Sequence, residues 1–272
     1  EGYHTAFFTD IQSFSAFSEK LSASDLVSLL NTYLTEMTDI LMENSGTLDK
    51  YIGDAIVAFY GAPIDVKEHE LMACRTAIKM QERLAELREQ WQAEGDRWPE
   101  IVHHMQNRIG INTGQLVTGN MGSESRMNYT MMGDTVNLAA RLESSAKQYG
   151  IYIQIADSTY EAVQDKVVVR ALDFVKVLGK EEPVKVFELI SEVGQEPEPY
   201  KKILPAFHEA IELYFKQDWE KAIEAFKAAD DLEEMFPGRK TNPSRIYIPR
   251  CEHFKANPPG DDWDGVWTLT SK

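Results

Sequence analysis

Cysteine is almost missing: 272 residues hold two, Cys74 and Cys251, far apart in the chain. No disulfide framework can be built from them, and a reducing compartment is the expected setting. Long apolar runs are missing too, since none approaches the roughly 20 residues that a membrane-spanning helix needs. A soluble, cytoplasmic module is expected, although the parent protein is free to associate with a membrane. Positive charge is scarce. With 28 basic against 44 acidic residues and a net charge of -16, the surface repels polyanions, which argues against nucleic acid or anionic lipid as a partner. Any ligand bearing phosphate would then need a local cluster of cations or a metal ion. There is no charged-then-apolar leader, and the chain enters a strand-like run almost directly after Glu1, as a fragment of a longer protein would.

What is present is a hydrophobic content of 43%, enough for one core of ordinary size and a small appendage. Residues 3–8 read as a strand ending at Asp10. Ser22 or Ser24 then caps a long helix with Leu26, Leu29, Leu30, Tyr33, Met37, Ile40 and Leu41 at helical period, ended by Gly46. Residues 50–61, KYIGDAIVAFYG, read as a strand, a tight turn at Gly53-Asp54 and a second, almost wholly apolar strand. A helix over 69–91 follows, then a polar, irregular stretch over 92–105. Strands are expected over 107–118 and 126–131, a helix from Asp134 to about residue 149, a strand over 151–155, and a hairpin of 167–177 with 184–190. This order predicts an α+β sandwich, helices packed on a mostly antiparallel sheet. At 192–199, EVGQEPEP, the composition shifts to a linker. Two further helices, 205–216 and 219–231, resemble one tetratricopeptide-type pair, which cannot bury its own faces and should dock on a neighbour. The tail after them is rich in proline and glycine, with Trp263 and Trp267 expected as anchors.

Three stretches carry candidate chemistry. Asp10, in FTDIQSFS, ends a buried strand where a sheet edge opens to solvent; alone it is a turn former or cap more often than a metal ligand. Asp54 is a second carboxylate, fixed at a hairpin tip by apolar flanks. If the two strands are neighbours the carboxylates converge, and two carboxylates with a backbone carbonyl suit a hard divalent ion whose other ligands are substrate phosphates. On a helix beginning near Asp134, Asn137 and Arg141 stand four apart and share one face, against the alternative of an ordinary solvated surface. The run Leu138-Ala139-Ala140 lets that helix pack closely.

Taken together, FTDIQSFS, KYIGDAIVAFYG, GINTG and YTMMGDTVNLAARLES resemble the catalytic domain of the class III nucleotidyl cyclases, over roughly residues 3–190. The resemblance implies a ferredoxin-like, palm-type α+β domain over 1–191, followed by the linker and a helical extension over 200–272. It implies a head-to-tail homodimer with active sites between protomers, an upstream regulatory domain, and inactivity of the monomer. Asp10 and Asp54, helped by the Ile11 carbonyl, match the positions that bind two Mg2+ or Mn2+ ions. Lys50 and Thr130 match those that read the purine, and Asn137 and Arg141 those that orient the ribose and stabilise the transition state. The implied reaction is in-line attack of the ribose 3′-hydroxyl on the α-phosphate, with pyrophosphate leaving between two metals.

Adenine presents N1 as acceptor and N6 as donor, which a lysine and a threonine hydroxyl can meet. Guanylyl cyclases usually carry glutamate and cysteine at these positions, so Lys50 with Thr130 resembles the adenylyl type and ATP is the expected substrate. Threonine rather than aspartate resembles a subgroup in which some members respond to bicarbonate, a further expected effector. One departure stands out. The family often shows Val-Lys-Gly-Lys in the closing hairpin, and this chain has Val177-Leu178-Gly179-Lys180. Leu178 cannot reach a triphosphate, so either Lys180 or Lys176 reaches it instead, with Lys180 the chosen candidate, or triphosphate binding is weaker. A guanylyl cyclase, and a degenerate module that only binds nucleotide or dimerises, remain the alternatives.

Overall fold

The computed structural model describes residues 1–175 and 183–267, which form two compact units. The first takes Glu1–Lys147 and Tyr152–Lys166, the second Gln148–Ile151 and the described residues from Val167 onward. The linker expected at 192–199 falls inside the second unit, as does the hairpin before it. Among the described residues no helix is long and apolar enough to cross a membrane.

In the first unit the order is β1 (Gly2–Ile11), α1 (Ser15–Lys20), α2 (Ala23–Glu43), β2 (Thr47–Ile52), β3 (Ala55–Tyr60), α3 (His69–Ala93), α4 (Glu100–His103), β4 (Asn107–Ser123), β5 (Arg126–Met132), most of α5 (Asp134–Tyr149), β6 (Ile153–Ala156) and α6 (Asp157–Val163). The run β1–α2–β2–β3–α3–β4 is the split β-α-β-β-α-β motif. Its strands lie in the order β2-β3-β1-β4-β6, all antiparallel except β6 on β4. The outer half of β4 leaves this path and pairs with β5, from Val117↔Met132 to Ser123↔Arg126. The fold class is therefore the α+β sandwich expected from the sequence.

Local chemistry explains the elements that set the site. Ser22 caps α2 by accepting the Asp25 N–H at 3.1 Å, and Leu29, Tyr33, Met37 and Leu41 are the buried stripe. That helix ends earlier than expected. Ser45 takes the left-handed conformation (φ 64°), while Gly46 is needed for room, since a Cβ there would lie 2.5 Å from Leu41 Cδ1. β3 is buried almost throughout, as its unbroken apolar run implies. The turn between β2 and β3 uses Gly53 at φ +64°, a backbone conformation that glycine adopts without strain.

The glycines of GINTG serve the helix rather than the strand. A Cβ on Gly110 would stand 2.2 Å from both the Ala139 carbonyl oxygen and the Glu143 nitrogen, so α5 lies directly on β4 at this point. The small side chain of Ala139 sits in that contact, fully buried. Neither obstructing atom belongs to a movable side chain, so Gly110→Ala is expected to lower the unfolding free energy by about 3 kcal/mol, the upper part of the usual range for overpacking. Urea unfolding of the two proteins measures it, and a change under about 1 kcal/mol would mean that α5 can slide away freely.

The second unit contains β7 (Val167–Val175), β8 (Val184–Glu192), α7 (Tyr200–Phe215), α8 (Trp219–Asp231) and α9 (Pro243–Ala256). α9 lies in the proline- and glycine-rich tail, where no third helix was expected. Pro243 stands in its first turn, where the missing N–H loses nothing, and the Asn242 side chain caps it by accepting the Arg245 N–H at 3.1 Å. Pro249 forfeits one helical hydrogen bond, but the helix buries Tyr247, Cys251 and Phe254 against Phe207, Tyr214, Trp219 and Phe226. The expected pair is thus closed by a third helix, with Trp263 and Trp267 packed on the same cluster. Arg170 on β7 is wholly buried and gives two hydrogen bonds of 2.9 Å to Glu233 and one of 2.7 Å to Glu188, since a charge so enclosed persists only when paired.

Candidate active site

The first group of predicted residues meets where β1 ends. Asp10 stands opposite Arg108 of β4, and Ile11 opposite Asn107. The β2–β3 turn brings Asp54 to the same place: its Oδ2 accepts the Ile11 N–H at 2.9 Å. The Asp10 charge is close enough to raise the proton affinity of Asp54. Asp54 is pushed up to about 6, first by burial and then by the charge on Asp10. Asp10 keeps about a third of its side chain in solvent, so the pair is open on one side.

Two residues that sequence reasoning passed over complete this group. Arg108 donates from Nη2 to Asp10 Oδ2 at 3.2 Å and from Nε to Glu143 Oε1 at 3.0 Å. Glu143, on the face of α5 that Gly110 admits to the sheet, has its carboxyl raised by burial against the opposing pull of Arg108. The signal was a charged residue beside the strand-like run Ile109–Ile111, since an arginine buried with that strand demands a partner.

The second group lies on the opposite arm of the β2–β3 hairpin. Lys50 Nζ donates to Thr130 Oγ1 at 3.3 Å, bringing β2 and β5 together through the two proposed base readers. The Thr130 hydroxyl in turn donates to Asp49 Oδ2 at 2.5 Å. Lys50 is largely exposed and Asp49 is not.

Asn137 and Arg141 are both exposed on α5, one turn apart. The helix that carries them is fixed at its start: Asn112 Nδ2 donates to the Thr135 carbonyl at 2.9 Å, and Thr135 Oγ1 donates to the Gln115 carbonyl at 2.7 Å. Among the described residues no side-chain hydrogen bond or ion pair joins Asn137 or Arg141 to either group. Lys180, with Lys176 and Leu178, lies outside the described residues.

Residues 3–191 match the family model of the adenylate and guanylate cyclase catalytic domain. The chain belongs to this cyclase family. It is 36% identical over 251 residues to the terminal-differentiation specific adenylate cyclase of Dictyostelium discoideum, covering 91% of this chain and 11% of that protein. That match is long enough to run past residue 191 into the C-terminal helices. Among solved structures, the adenylyl cyclase CyaB from P. aeruginosa superposes with a TM-score of 0.63 at 35% identity, covering 72% of this chain and 97% of that one. The guanylyl cyclase Cya2 superposes with a TM-score of 0.62 at 33% identity, over 71% and 94%. The chain spans between 11% and 36% of the length of the first curated relatives it matches. Both nucleotide specificities therefore occur on this cyclase fold.

Proposed function

We propose that the chain is an adenylyl cyclase module that converts ATP to 3′,5′-cyclic AMP and pyrophosphate, in sites that two copies complete. The observation that carries the reading is the Lys50–Thr130 contact. It sets an ammonium donor beside a hydroxyl acceptor, the pairing that adenine N1 and N6 require and that guanine reverses. Several of the related proteins are adenylate cyclases, which supports the same choice.

Asp10 and Asp54, with the Ile11 carbonyl, would hold two Mg2+ or Mn2+ ions. The donor set fits: the oxygens are hard, the Asp54 carboxylate is held at the end of β1 by the Ile11 N–H, and Asp10 beside it keeps about a third of its side chain open to solvent. When bound, such ions supply the acidity that frees the ribose 3′-hydroxyl and the charge that holds the triphosphate. The chain's own groups do the rest. Lys50 and Thr130 hold the base, Asn137 orients the ribose, and the Arg141 guanidinium meets charge developing on the α-phosphate. Lys180 is the proposed triphosphate contact. Asn137 and Arg141 are exposed and unconnected to the carboxylates of their own chain, so a second copy supplies them, and a homodimer places Asp54 of one copy beside Arg141 of the other.

The test is incubation of the purified chain with Mn2+ and either ATP or GTP, quantifying cyclic nucleotide and pyrophosphate over a range of protein concentrations. The expected product is cyclic AMP, with specific activity rising as dimers form. Preference for GTP would overturn the reading of Lys50 and Thr130. No product in a demonstrably dimeric sample would leave a nucleotide-binding or dimerising signalling module.

A further inference from the structure

A hydroxyl is an ambiguous reader of purines, because threonine can donate or accept. Thr130 alone would accept from the 6-amino group of adenine or donate to the 6-carbonyl of guanine. The geometry around it removes the ambiguity. Its hydrogen is already committed to Asp49 Oδ2 at 2.5 Å. A carboxylate only accepts, so the hydroxyl oxygen is left facing Lys50 and solvent with lone pairs alone.

The backbone is built to bring Asp49 there. In a regular strand neighbouring side chains point to opposite faces, so Asp49 and Lys50 would not meet the same atom. The β2–β3 register shifts at this position: Leu48 faces Ala58 and Lys50 faces Val57, leaving Asp49 as the extra residue of a bulge. Bulges re-aim side chains, and here two consecutive residues reach Thr130 Oγ1. The Asp49 side chain is 2% exposed, and no donor among the described residues bonds its second oxygen, Oδ1, which has only an ionic contact to Lys50 Nζ at 3.4 Å. An aspartate so enclosed and only half satisfied is an expensive way to make a strand.

We propose that Asp49 is a positioning residue that fixes Thr130 as an acceptor, and is thereby a determinant of adenine over guanine. The inference rests on the reading of Lys50 and Thr130 as the base contacts. Asp49 touches the reader and not the substrate.

The experiment measures kcat/KM for ATP and for GTP in wild type, Asp49→Ala, Asp49→Asn, Thr130→Val and Asp49→Ala/Thr130→Val, together with displacement of a fluorescent nucleoside triphosphate by ATP and by GTP. In Asp49→Ala the ATP:GTP ratio is expected to fall about tenfold, the size of one lost hydrogen-bond discrimination. Asp49→Asn, whose amide both donates and accepts, is expected to fall by less, and it decides the matter if the alanine variant does not fold. With Thr130→Val in place there is no hydroxyl to orient, so adding Asp49→Ala should leave the ratio where the valine put it. Equal losses for both nucleotides, with the ratio unchanged, would overturn the inference and leave Asp49 a structural residue. A wild type that favours GTP, or that discriminates in neither turnover nor binding, would overturn the base-contact reading and this inference with it.

Discussion

Asparagine in place of Asp54 is expected to lower turnover by more than about 100-fold, since even partners one step removed from a metal commonly contribute 10- to 100-fold. The substitution is close to isosteric, and the amide oxygen can still accept the Ile11 N–H that ties the hairpin to β1. Loss of activity would therefore not reflect loss of the turn. Stability offers an independent check with a definite sign. The native state raises the Asp54 pKa from 3.8 to about 6, so it holds the proton more tightly than the unfolded chain does. Ionisation then opposes folding, not at all below about pH 4, increasingly through the interval, and fully above about pH 6. Asparagine removes that opposition, so at pH 7 the metal-free variant should melt no lower than wild type. Added Mn2+ should raise the melting temperature of wild type and fail to raise that of the variant. Turnover within a factor of a few of wild type, or an intact Mn2+ shift, would remove Asp54 from the metal site.

Much of this was legible because the governing interactions are local. The four-residue spacing of Leu29, Tyr33, Met37 and Leu41 marks α2, and the glycine turn between two strand-like runs marks the hairpin. α5 begins at Asp134 and ends at Tyr149, as its pattern implies. The convergence of Asp10 on Asp54 also followed, since strand ends can be placed from periodicity once β1 and β3 are neighbours. What stayed hidden depends on non-local packing. α9 was obscured by Pro243 and Pro249, whose local penalties are outweighed by an aromatic cluster assembled from three helices and the tail. Asp49 was hidden by the alternation rule itself, which sends it away from Lys50; only the bulge turns both toward Thr130. Arg108 was passed over because its partner, Glu143, lies on α5 and meets it only once that helix packs on the sheet. Sequence thus pointed to the proposed substrate contacts more readily than to the residues that hold them in place.

Arg141→Ala is expected to cut kcat by about 100- to 1,000-fold with little change in KM, the pattern for a donor that acts on charge formed only in the transition state. Exposure of Arg141 on a helix fixed to β4 through Gly110 makes a folding defect an unconvincing cause. The stronger consequence concerns assembly. Asp54→Asn and Arg141→Ala are each nearly inactive alone, yet a two-fold dimer of one with the other has both defects in one site and neither in the second. Equal mixing should yield half mixed dimers, each with one whole site, and so restore roughly a quarter of wild-type activity, as isologous symmetry requires. Mixing at concentrations where dimers exchange, followed by assay of cyclic AMP, gives the result directly. If instead each chain carried a complete site, every chain in the mixture would keep its own defect and no activity would return. The recovery on mixing therefore separates a shared site from a self-contained one, without any structure of the dimer, and does so in a signal that rises from almost nothing.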